Sequence, residues 1–116
     1  MLWATIIMAA ASVIGPTYLS CQLEDTKEPL AINLTIDEPN QIMTIEIPKS
    51  GGVQRRPALF SATEVTANVP LGRGIGQIYY TVSRTDLRIS RTIASGNYHN
   101  EITGKCVLQA TPQRAF

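Results

Sequence analysis

Apolar and polar residues alternate with a period of two over most of this chain, and that alternation constrains the fold more than any other feature. Leu30, Ile32, Leu34 and Ile36 alternate with Ala31, Asn33, Thr35 and Asp37; Met43, Ile45 and Ile47 alternate with Thr44 and Glu46. Further on, Ile78, Tyr80 and Val82 alternate with Tyr79, Thr81 and Ser83. Successive side chains of an extended strand point to opposite faces, so each segment has one face for a core and one for water. No stretch offers three turns of helical periodicity.

Turn chemistry divides the segments. Glu38-Pro39-Asn40 reverses the chain after the first segment, and Thr85-Asp86 is the tip of a tight hairpin that follows residues 77–84. Pro48 opens a polar loop through Gly51-Gly52 and Arg55-Arg56 to Pro57, before Ala58-Leu59-Phe60 begins a further strand. A second polar loop covers 95–103. Ser61 and Glu64 have capping-box spacing, which suits either one helical turn or a bulged strand through Val65. About seven strands at hairpin spacing predict an all-β fold, a single antiparallel meander curled into a small barrel or sandwich. Its core should hold Leu34, Ile36, Ile45, Phe60, Tyr80, Val82 and Ile89. Arg91 shares the inward parity of Leu87, Ile89 and Ile93, so its guanidinium must lie at a rim, be paired, or fill a pocket.

The first charged residue is Glu24. The apolar run before it breaks at Gly15-Pro16, short of the roughly 20 residues a helix needs to span a bilayer. Residues 2–8 make a short apolar h-region and Ala9-Ala10-Ala11-Ser12 offers small residues for cleavage. Residues 1–12 therefore read as a secretory signal peptide, though its n-region carries only the α-amino charge, and 13–116 as a single β domain. The competing reading is a buried N-terminal element of a cytosolic domain.

Cys21 and Cys106 are the only cysteines. Leu19, Cys21 and Leu23 alternate with Ser20, Gln22 and Glu24, and Cys106 sits in a short apolar run near the other end. In an oxidising compartment, periplasmic or extracellular, a bridge would tie the first strand to the last; in a reducing one they would be two separate buried thiols. Closing a loop of about 85 residues is worth roughly 4 kcal/mol in the chain-entropy model. A lipid anchor at Cys21 fits poorly, because Tyr18 stands where a lipobox has Leu, and lipidation would strand Cys106 as an odd thiol.

The Cys-bearing first strand, the Ile36-Asp37 hairpin and Phe60 followed by Thr63-Glu64-Val65 form one part of a longer pattern. Tyr80-Thr81-Val82-Ser83-Arg84, a turn, Leu87-Arg88-Ile89 and a closing Gly104-Lys105-Cys106 complete it. This pattern resembles the small exported all-β proteins of unknown function found in alphaproteobacteria. The resemblance covers most of the domain and departs from it at Asp86, where that group usually has glycine. It implies periplasmic residence and a Cys-Cys clamp, and it carries no activity.

Motifs for chemistry are sparse. The formal charge is +1, from 10 Lys+Arg against 9 Asp+Glu, which argues against a nucleic-acid partner. Gly72-Arg73-Gly74-Ile75-Gly76 precedes a strand, whereas a phosphate loop needs a helix N-terminus there, so it reads as a hairpin loop. His99 is the only histidine, which excludes a multi-His metal site. Asp37, Glu46, Glu64 and Glu101 have no spacing suited to acid/base work, and no serine lies in a nucleophile elbow. No motif asks for a cofactor. A sequon at Asn33-Leu34-Thr35 lies within a strand. Strands of about eight residues fall short of the roughly 9–11 that cross a bilayer as a barrel.

These features predict a non-enzymatic exported binding or interaction module whose partner is an unknown protein or small ligand, met through a sheet face or the barrel mouth. Tyr79, Arg84, Arg88 and Arg91 are the candidate contact residues, because interfaces favour aromatic and arginine side chains. The same residues also suit ordinary cross-strand packing and solvated charge. Two alternatives stand beside this reading. One is a secreted enzyme inhibitor with 48–57 and 95–103 as reactive loops, and the other is a small-ligand carrier with a deep cavity containing Arg91.

Overall fold

The alternation is realised as eight antiparallel strands in a computed structural model that describes residues 15–24 and 28–110. They are β1 (Thr17–Leu23), β2 (Leu30–Asp37), β3 (Ile42–Ile47), β4 (Gly52–Phe60), β5 (Glu64–Pro70), β6 (Gln77–Ser83), β7 (Arg88–Ser95) and β8 (Tyr98–Gln109), with one 3-10 turn at Gly72–Gly74. Each pairs with the next, and β8 pairs back with β1, so the meander closes into a barrel and not a sandwich. Residues 1–12, read as a signal peptide, lie outside the described residues.

Most of the two predicted polar loops is strand. Ser50 and Gly51 both donate their N–H to the Ile47 carbonyl, at 3.1 and 2.9 Å, and Gly51 takes a φ of 77° that glycine adopts without steric cost. The turn is therefore confined to 48–51, and Val53, Gln54 and Arg55 pair at once with Glu46, Ile45 and Thr44. Gly96, at a φ of 59°, makes the same kind of reversal before β8. At the Ser61 corner the serine hydroxyl accepts the N–H of Glu64 at 3.0 Å and of Thr63 at 3.2 Å, and β5 starts directly. No helical turn forms there.

Inward parity fills the barrel. Leu19, Leu23, Ile32, Leu34, Met43, Ile45, Val82 and Ile89 are among its buried side chains, and among the described residues no polar or charged one is fully buried with them. Six of the seven predicted core residues are buried; Phe60 is only half-buried, because it ends β4 at the barrel's rim. Ser20, Asn33, Thr35, Thr66, Thr81, Ser90 and Thr92 take the opposite parity and face outward. An apolar interior and a polar exterior are the reverse of a membrane-spanning barrel. Among the described residues no helix is long and apolar enough to cross a membrane.

The barrel closes where β1 meets β8. Cys21 and Cys106 stand directly opposite in that register and form a disulfide, 1% and 5% exposed. Two positions away Gly104 faces Leu23 so closely that an added Cβ would strike the Gln22 carbonyl oxygen and the Leu23 Cα. Backbone cannot yield as a flexible side chain can. Gly104→Ala is therefore expected to cost about 3 kcal/mol, at the upper end for overpacking. A melting curve should show a fall of roughly 15 °C.

Candidate functional site

The β6–β7 hairpin is built around Ser83. Its hydroxyl accepts the N–H of Thr85 at 3.3 Å and of Asp86 at 3.4 Å, and Asp86 Oδ1 accepts the Arg88 N–H at 3.1 Å. The Ser83 hydroxyl, and after it the Arg88 N–H, hold the exposed Asp86 carboxyl below the usual carboxylate range. Leu87 then adopts a φ of 60°, a left-handed conformation that is uncommon for a bulky side chain. Its N–H reaches the Ser83 carbonyl at 3.1 Å, and its own carbonyl accepts the Cys106 N–H at 2.8 Å. Those two bonds direct the Leu87 side chain over the end of the barrel.

A recess of about 230 Å³ lies at that end. Leu19, Ile36, Phe60, Val65, Leu87 and the exposed Leu108 wall it with apolar surface. Arg84 and Glu38 stand at its rim. Two Arg84 nitrogens, Nη2 and Nη1, donate to the Glu38 carboxylate at 2.8 and 3.2 Å; Nη1 also donates to the Ser61 carbonyl at 2.9 Å. The Arg84 backbone N–H reaches the Thr63 carbonyl at 2.7 Å, and the guanidinium carbon lies 5.9 Å from the centre of the Phe60 ring. One side chain thus ties the β2–β3 turn, the β4–β5 corner and the β6–β7 hairpin together.

Arg84, a candidate contact residue, has its Nη1 and Nη2 donors engaged within the chain. Its side chain and that of Glu38 are 34% and 46% exposed, so the ion pair itself is worth about 1 kcal/mol or less. The bond to a backbone carbonyl adds about 1 kcal/mol. Arg84→Ser is accordingly expected to lower unfolding free energy by about 1–2 kcal/mol in a urea titration, where a free surface arginine would leave it unchanged.

The other candidates are dispersed. Arg88 lies on the outer face opposite Lys105, and Tyr79 on the same outer face opposite Thr92, about 13 Å further along the strand. Arg91 has inward parity, is half-buried, and donates through Nε to the Tyr80 hydroxyl at 3.3 Å. Tyr79, Arg84, Arg88 and Arg91 therefore do not form one surface. The segments 48–57 and 95–103, read from the sequence as loops, are largely β4 and β8. Among the described residues no three His, Cys, Asp or Glu side chains group as metal ligands.

The chain matches no family model, no curated protein and no solved structure. The mouth itself was hidden in the sequence, because Glu38 reads as a turn residue and Leu108 as the tail of a strand. Only Arg84 pointed to it.

Proposed function

We propose that this protein is a small non-enzymatic binding module of an oxidising compartment, the periplasm or cell exterior, which takes one apolar group of a protein partner into its barrel mouth. The observation that carries this reading is the apolar recess walled by Leu87 in a left-handed conformation. Such a conformation persists only where its surroundings impose it, and here it serves to place an aliphatic side chain at the opening. Size selects the kind of guest. About 230 Å³ exceeds the roughly 150 Å³ that holds a benzene-sized molecule and falls below the roughly 300–1,000 Å³ of drug-sized sites. One leucine, phenylalanine or tryptophan side chain fits that range.

Charge does not select the guest, since Arg84 and Glu38 already satisfy each other at the rim. The buried Cys21–Cys106 bridge suits an oxidising compartment.

A methyl-resolved NMR titration with indole tests the reading. Shifts should concentrate on the methyls of Leu19, Val65, Leu87 and Leu108. Leu87→Gly relieves the left-handed strain but removes a wall, and it should weaken indole about tenfold, the effect of roughly 1.4 kcal/mol of lost contact. Shifts confined to another part of the barrel, or equal affinity in the variant, would discard the mouth as the binding site.

A further inference from the structure

The first half of β4 has a partner on one side only. From residue 52 to residue 57 it pairs with β3, but its register with β5 is limited to Ala58, Leu59 and Phe60 against Ala67, Thr66 and Val65. Pro57 has no N–H to continue the ladder, and Arg56 Nε donates instead to the Asn68 carbonyl at 2.9 Å. That bond marks where the two strands part. Beyond it an edge of extended backbone runs back to Gly52, flanked on the outer face by Val53 and Leu59, 61% and 78% exposed. A shallow groove of about 550 Å³ lies on the other, β3 side of the strand, lined by Asn40, Gln41, Ile42, Arg55, Pro57 and Leu59 among others, and is not part of this edge.

We propose that this edge binds an extended acidic peptide segment, which adds to the barrel as a strand beside β4. Backbone groups along the edge supply the affinity of strand addition, and the side chains above it supply the choice of partner. The choice is acidic. From Ile47 to Thr63 the chain carries Lys49, Arg55 and Arg56 and no carboxylate. Lys49 is held by Glu28 at 3.1 Å, and the two ion pairs among the described residues leave Arg55 out. Glu46, opposite Val53 on the neighbouring strand, is the closest carboxylate in the register, and it makes no ion pair with Arg55. A second copy of the chain is the poorer occupant, because edge-to-edge pairing would set two Arg55-Arg56 pairs into one ladder and like charges repel there. The site is separate from the mouth, so either can fail without the other.

The test uses the disulfide-intact protein and two fluorescein-labelled octapeptides, one of alternating valine and glutamate and one of alternating valine and lysine. Anisotropy at low salt should show the glutamate peptide binding at least tenfold more tightly than the lysine peptide. Amide exchange should show new protection within residues 52–57. Arg55→Glu, which breaks no bond in the fold, should keep the melting temperature and invert the peptide preference. Glutamate-peptide binding that is indifferent to Arg55→Glu, protection gained on a different strand, or self-association of the free protein in sedimentation would each overturn the proposal.

Discussion

Ile89→Asp is expected to leave no cooperatively folding protein. Ile89 is 1% exposed, stands opposite Val82 on β6 and Gly104 on β8, and points into a barrel interior made of aliphatic side chains. A carboxylate placed there has no cation to meet. Arg91 is the inward arginine on the same strand, and its guanidinium is turned to the Tyr80 hydroxyl. An uncompensated buried charge costs several kcal/mol, and the lost packing of a large aliphatic side chain adds about 2–4 kcal/mol more. A small domain has about 5–15 kcal/mol in all. Val82→Asp, at the facing position, should behave alike. Loss of the far-ultraviolet strand signal and of any sigmoidal melt checks both. A wild-type melt from either variant would mean that the parity of β6 and β7 is reversed.

Removing the bridge should have the next largest effect. Cys21→Ala with Cys106→Ala frees a loop of 85 residues, and the chain-entropy model assigns that loop about 4 kcal/mol. The paired alanines keep the register between β1 and β8 but leave a small void on the inner face. The urea midpoint should therefore fall by about 2 M, taking a slope near 2 kcal/mol/M for a domain of this size. An unchanged midpoint would show that the interstrand ladder alone closes the barrel. Reducing agent added to the native wild type should act slowly, since both sulfurs lie on the inner face and reduction has to wait for the seam to open.

The strands that face the core were legible because their apolar residues must alternate, and β2, β3, β6 and the start of β7 follow that rule. The tie between the first strand and the last was legible too, through the two cysteines, although barrel and sandwich both satisfied it. What stayed hidden was held by backbone rather than by burial. The 52–57 segment, Gly-Val-Gln-Arg-Arg-Pro, and the Tyr98-His99-Asn100-Glu101 start of β8 pair through their ladders while exposing most of their side chains. Gly51 and Gly96, each able to turn the chain within a few residues, were the signals that those stretches return at once. The mouth was less visible still. Arg84 finds Glu38 across 46 residues of sequence, and Leu87 lines the recess through a left-handed backbone that no local pattern of leucine suggests.

The two seams of the hoop differ in kind. The β1–β8 joint is riveted covalently, while the β4–β5 joint, four strands away in either direction, rests on three residue pairs. Thermal breathing should concentrate at the weaker joint, parting a β1–β4 leaf from a β5–β8 leaf that swing about the disulfide as a hinge pin. Amides of the β4–β5 ladder would then exchange with solvent well before those beside Cys21, and the barrel would fail like a bracelet, opening at its clasp and staying in one piece.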